Sequence, residues 1–190
     1  MSKLTLEQGK KLIKIARESI TSYFKNKNFN IKSLEKKNGV FVTLHSYPKK
    51  DLRGCIGMIQ PIMPLDKAVA SLARSSAFQD NRFKPLDEKE KYVIELSVLT
   101  KPKLIESKDY FKEIKIGRDG LILEFGLFGG VLLPQVPVEQ GWNVEEFLNH
   151  LCLKSNLPPL IWKDPRCKIY KFEAQIFYEL GPDGKVIEKL

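Results

Sequence analysis

Apolar residues recur at helical spacing near the start of the chain. Leu6, Ile13, Ala16, Ile20 and Phe24 approximate one stripe, with Lys10, Lys14, Arg17 and Lys25 largely off it. That pattern predicts an amphipathic helix to about Phe24 with one face on a core. Thr5-Leu6-Glu7-Gln8 reads as its capping box, the Thr5 hydroxyl accepting from the Gln8 N–H while the Gln8 side chain reaches back. Lys25 to Asn38 reads as a connector with a short strand near Ile31. The period then drops to two. Val40, Val42 and Leu44 face one way and Phe41, Thr43 and His45 the other, which predicts a strand from Val40 to Ser46. Pro48 to Asp51 is turn chemistry, so Leu52-Arg53-Gly54-Cys55-Ile56-Gly57 should return antiparallel to it.

Pro64 suits the start of a helix to about Ala77, with Leu65, Ala68, Val69, Leu72 and Ala73 as its apolar stripe. Tyr92 to Thr100 alternates as a strand, and Glu95 in it is expected on a solvated face. A short helix over Glu106 to Lys112 is followed by a hairpin of Ile114–Ile116 and Leu121–Phe125 around Gly117 to Gly120. Gly126 to Gly130 forms a turn, and the prolines of Pro134-Gln135-Val136-Pro137 predict an extended, edge-like crossing. Asn143 can cap a helix that buries Val144, Phe147, Leu148 and Leu151, broken by Pro158-Pro159. A long strand from Ile169 to Leu180 closes the fold before the turn at Gly181 to Gly184. Hairpins interrupted by single helices indicate an α+β fold, with antiparallel sheets and flanking helices, in one domain over residues 1–190.

Charge changes the picture little. The formal net charge of +9 suggests an anionic partner, but the lysines are spread from Lys3 to Lys189 without a long basic run. They read mainly as solvated surface, and nucleic-acid binding rests on charge alone. Three cysteines at 55, 152 and 167, with no CxxC pair and a polar start, point to free thiols in a reducing cytoplasm. No apolar run approaches the ~18 residues that span a bilayer, so no membrane is expected.

The candidate chemistry concentrates in the hexapeptide. As a strand it puts Arg53, Cys55 and Gly57 on one face, where a nearby cation favours a thiolate and Gly54 and Gly57 admit close approach. The alternative is that Cys55 is a small core residue. The hairpin register decides a further question. The natural loop length sets Cys55 opposite Leu44 and His45 opposite Gly54, while a slip of one residue sets His45 opposite Cys55 as a dyad. Asp80-Asn81-Arg82-Phe83-Lys84-Pro85 gathers an acid, a base and an aromatic on a loop, as a ligand site or as a structural turn. Gln135, Glu139 and Trp142 are the polar groups and aromatic wall of the proline crossing. They are expected to share a cavity with Arg53 or Cys55, with Asp80 or Arg82 at its rim. His150 and Cys152 fall on different helical faces, and HExxH, GxSxG, phosphate-loop and CxxxCxxC patterns are lacking, so no metal and no cofactor is assigned.

Leu-Arg-Gly-Cys-Ile-Gly at 52–57 resembles the hallmark hexapeptide of the AMMECR domain family. Val40-Phe41-Val42-Thr43-Leu44, Asp80 to Pro85, Leu96-Ser97-Val98-Leu99, Leu133-Pro134-Gln135-Val136 and Gln140-Gly141-Trp142 resemble family segments in family order. The resemblance implies an archaeal-type stand-alone member with two unequal lobes, and it brings no established reaction. It also implies a functional link to radical-SAM and Memo-type proteins, on which difficult redox chemistry would reside. Two functions compete. In one, Cys55 is a nucleophile and Arg53, Gly54, Gly57, Asp80, Arg82, Phe83, Gln135, Glu139 and Trp142 bind a small molecule. In the other, the same residues are the rigid core of a protein-interaction module.

Overall fold

The computed structural model describes residues 3–27, 29, 36–107 and 109–189. The chain divides into two compact units of unequal size, residues 1–99 with 175–190 and residues 100–174.

The first unit opens on α1 (Leu6–Phe24), whose N-terminus carries the capping box in full. Strands β1 (Val40–Ser46) and β2 (Leu52–Met58) form the expected hairpin, and α2 (Leu65–Phe78) follows. β3 (Tyr92–Leu99) pairs antiparallel with β1, and the last part of β7 (Lys168–Glu179) pairs with β8 (Val186–Lys189). The order is β2-β1-β3-β7, which leaves β2 at an edge. Alternation explains the core. Val40, Val42 and Leu44 of β1 join Ile94, Leu96 and Val98 of β3 under the apolar stripes of α1 and α2; these six strand residues are buried, while Leu6 at the start of the α1 stripe is exposed.

The register is neither of the two anticipated. Thr43 opposes Cys55 and Leu44 opposes Gly54, then a shift sets His45 opposite Leu52. An irregularity between Leu44 and His45 absorbs the odd residue of the connection. Glu95 also departs from expectation, being only 7% exposed. The strand is central, and the Lys189 Nζ donates to Glu95 Oε2 at 2.5 Å, which compensates burial of the charge. The strand anticipated near Ile31 lies outside the described residues.

The second unit contains β4 (Lys103–Leu104), α3 (Tyr110–Glu113), β5 (Asp119–Phe125), β6 (Phe128–Leu132), α4 (Gln135–Gln140) and α5 (Val144–Lys154), with a 3₁₀ turn at Ile161–Lys163. β5 lies between β6 and the first part of β7, and β4 pairs with β7. Leu121, Leu123 and Ile169 pack with Phe147, Leu148, Leu151 and Cys152 of α5.

Three local expectations are corrected. The short helix is confined to Tyr110–Glu113. β5 makes its hairpin forward with β6, because the Asp119 carboxylate accepts the Lys115 N–H and the Asp119 N–H bonds Lys115 O, closing 115–119 as a turn. Residues 135–140 are helical rather than extended. Pro134 occupies the cap and Pro137 the first turn, where a missing N–H breaks no helical bond, and Gly141 ends the helix at φ 68°. Among the described residues no helix is long and apolar enough to cross a membrane.

Candidate functional site around the hexapeptide

Two helix-to-strand contacts fix the hexapeptide. A Cβ on Gly54 would lie 2.1 Å from the Ser76 carbonyl oxygen, so only glycine lets β2 meet the end of α2. Ser76 bridges the strands themselves. Its hydroxyl accepts the Ile56 N–H at 2.9 Å and donates to Val42 O at 2.8 Å, on the buried side of the sheet. On the other face a Cβ on Gly57 would meet the Phe41 ring at 2.2 Å. Both glycines are therefore packing necessities.

The exposed edge of β2 is closed by side chains. After α2 ends, Asp80 to Phe83 forms a turn with the Phe83 N–H on Asp80 O. This turn brings Asp80 Oδ2 to 2.9 Å from the Cys55 N–H, while Arg82 Nη2 donates to Cys55 O at 3.3 Å. Arg82 also grips the same carboxylate with two bonds, at 2.9 and 2.7 Å. The ion pair thus takes the place of a neighbouring strand at Cys55. Hydrogen bonds from Arg82, then from the Cys55 and Arg82 backbone, hold the Asp80 carboxyl well below the usual carboxylate range.

Arg53 is engaged elsewhere. It forks onto Glu90 at 2.5 and 3.0 Å and reaches Pro85 O at 3.3 Å, and its hydrogen bonds lower the Glu90 pKa. The expected pairing of Arg53 with the thiol is replaced by Arg82. Cys55 is half-buried, and burial pushes its pKa up, with the Thr43 hydroxyl hydrogen bond and the Arg82 charge acting in the opposite direction. Thr43 Oγ1 donates to Cys55 Sγ at 3.2 Å. The thiol rests protonated at neutral pH.

The His45 dyad is absent, since Thr43 occupies the position across from Cys55. His45 Nε2 lies 4.0 Å from Glu95 Oε2, beyond hydrogen-bond reach, and is buried without a hydrogen-bond partner among the described residues. The register sets Thr43 between Cys55 and Glu95, so thiol, hydroxyl and carboxylate form one row across three strands. Ser97, two residues along β3 on the same face, also has a buried hydroxyl without a partner among the described residues.

The first unit therefore brings Arg53, Gly54, Cys55, Asp80 and Arg82 together, with Gly57 under Phe41 and Phe83 beside the Arg82 guanidinium at 5.4 Å. Gln135, Glu139 and Trp142 belong to the second unit. There Trp142 stacks flat on His150 with ring centroids 3.8 Å apart, Glu139 is exposed, and Gln135 Oε1 is buried without a partner among the described residues. Sequence reasoning missed Thr43, Ser76 and Glu90. Thr43 follows only from the register and Glu90 from the path of the loop. No group of three or more metal-ligating side chains occurs among the described residues.

The AMMECR1 family model matches residues 13–177. The chain belongs to the AMMECR1 family. It is 52% identical to Protein MJ0810 of Methanocaldococcus jannaschii, covering 100% of this chain and 98% of that one. Protein MK0488 of Methanopyrus kandleri is 49% identical, with 98% and 96% covered. The crystal structure of the uncharacterized protein PH0010 from Pyrococcus horikoshii matches with a TM-score of 0.89 at 46% identity, over 96% and 97% of the two chains. These AMMECR1 relatives support the α+β fold and establish no activity.

Proposed function

We propose that the Cys55 face of β2 and β1 is a ligand-binding site of a cytoplasmic protein, with Cys55 as its reacting group. The observation that carries this reading is the treatment of one residue. Cys55 has its N–H, its C=O and its sulfur all held by side chains, while Cys152 and Cys167 are buried and the Cys152 thiol is held by the backbone of Ile161 and Trp162. A packing cysteine needs no such support. Because the thiol rests protonated, it meets a ligand first as a neutral contact. It becomes a nucleophile when a bound substrate or base takes its proton. Asp80 and Arg82 position the strand, Gly54 and Gly57 permit the packing that aims it, and Arg53 anchors its start through Glu90. Phe83 is a proposed binding group at this face, Gln135, Glu139 and Trp142 are proposed binding groups of the second unit by itself, and the ligand class is a small molecule. By family resemblance, radical-SAM and Memo-type proteins would supply any redox step.

A metabolite-pool binding screen of wild type against Cys55→Ser tests this. The expected result is at least one compound retained by wild type and weakened tenfold or more in the variant at unchanged melting temperature. Identical retention by both proteins would refute the reading. The alternative, a protein-interaction module, has its own support in the β5–β6 hairpin, where Leu127 is fully exposed beside a half-exposed Phe128.

A further inference from the structure

The first unit has a concavity whose lining shares no residue with the hexapeptide. It is a groove of about 830 Å³ between α1 and the turn joining β7 to β8. Ile13 and Val186 contribute an apolar floor. Its walls carry six cationic side chains against three acidic ones. Arg17 is consumed internally, since it forks onto buried Glu179, reaches Asp183 at 3.0 Å and donates to Tyr92 O at 3.2 Å. Lys10 and Lys14 have exposed helical partners in Glu7 and Glu18. Lys25, Lys27 and Lys185 are exposed and have no carboxylate within ion-pair distance among the described residues.

We propose that this groove docks an acidic segment of a partner protein. Length argues first: Lys10 to Lys25 runs about 22 Å along the helix at 1.5 Å per residue. That is too long for one phosphate and matches about seven residues of extended peptide. Alternation argues next. An extended peptide can present carboxylates to the lysines on one side and apolar side chains to Ile13 and Val186 on the other. The acids argue against nucleic acid. Glu18 and Asp183 have side chains 50% and 76% exposed and interrupt the basic track, so an unbroken phosphate chain would meet repulsion twice. Among the described residues no aromatic side chain lines the groove to stack a base. A peptide can leave neutral residues at those two places.

The test uses the full chain and a fluorescein-labelled heptapeptide of alternating glutamate and leucine, followed by fluorescence anisotropy at low salt. Saturable binding is expected, weakening as salt rises. It should fall at least tenfold in a Lys25→Glu/Lys185→Glu variant. Lys25→Gln/Lys185→Gln, which adds no repulsion, should give an intermediate loss, and melting curves establish that both variants fold. The proposal is overturned by absence of saturable binding, by equal affinity of wild type and both variants, or by tighter binding of single-stranded oligothymidine than of the peptide at the same salt.

Discussion

Asp80 carries more of the site than any residue of the hexapeptide except Cys55. Its carboxylate is 3% exposed and accepts from both Cys55 and Arg82, so Asp80→Asn removes charge-assisted bonds from a buried position. A loss of about 2 kcal/mol is expected, read as a lower urea midpoint at neutral pH. The pH dependence has a definite sign. The folded pKa lies below the unfolded value of about 3.9, so this contribution is present above that pH and is lost as pH falls through the folded value. The gap between wild type and Asp80→Asn should close in acid, and a gap constant from pH 7 to pH 2 would contradict the assignment. Ser76→Ala tests the bridge between strands. Stranding the Ile56 N–H and Val42 C=O should cost about 1–3 kcal/mol, and an unchanged unfolding midpoint would mean that the two strands can close the ladder unaided. The nearness of Asp80 and Arg82 to Cys55 was legible because an acid and a base beside apolar residues on a loop is informative. Ser76 was not, since nothing in a serine on a helix says that it will enter a sheet.

At the scale of elements, period and capping were reliable guides. α1 ends where its stripe ends, β1 has the anticipated bounds, and both Thr5 and Asn143 cap as their sequences indicate. Register was not legible, because loop length constrains a hairpin only while its strands stay regular, and the irregularity after Leu44 shifted the pairing. Proline misled at α4, where a residue that breaks a strand is equally suited to a first helical turn. The element contact that matters most is β2 against α2. Gly54→Ala should force them apart and destabilise the protein by roughly 1–3 kcal/mol. The expected readout is a lower melting temperature with faster alkylation of Cys55 as its frame loosens. A variant as stable as wild type would show that the helix end can yield.

Across the whole molecule, a sizeable core and an excess of positive charge were visible in composition, but the distribution of that charge was not. Lysines that look evenly scattered along the sequence include three that gather around one groove with no carboxylate partner among the described residues. The three cysteines also differ in the fold. Cys152 and Cys167 are buried, with burial raising both pKa values, that of Cys167 to about 11, whereas Cys55 is half-exposed. Iodoacetamide labelling of the native protein, read by peptide mass, therefore tests the central claim most directly when performed with and without a cellular metabolite pool. The account predicts that Cys55 labels first, faster as pH rises toward its elevated pKa, and that the pool slows Cys55 while leaving Cys152 and Cys167 unchanged. Labelling of Cys55 no faster than of the two buried thiols, or at a rate the pool does not alter, would contradict it.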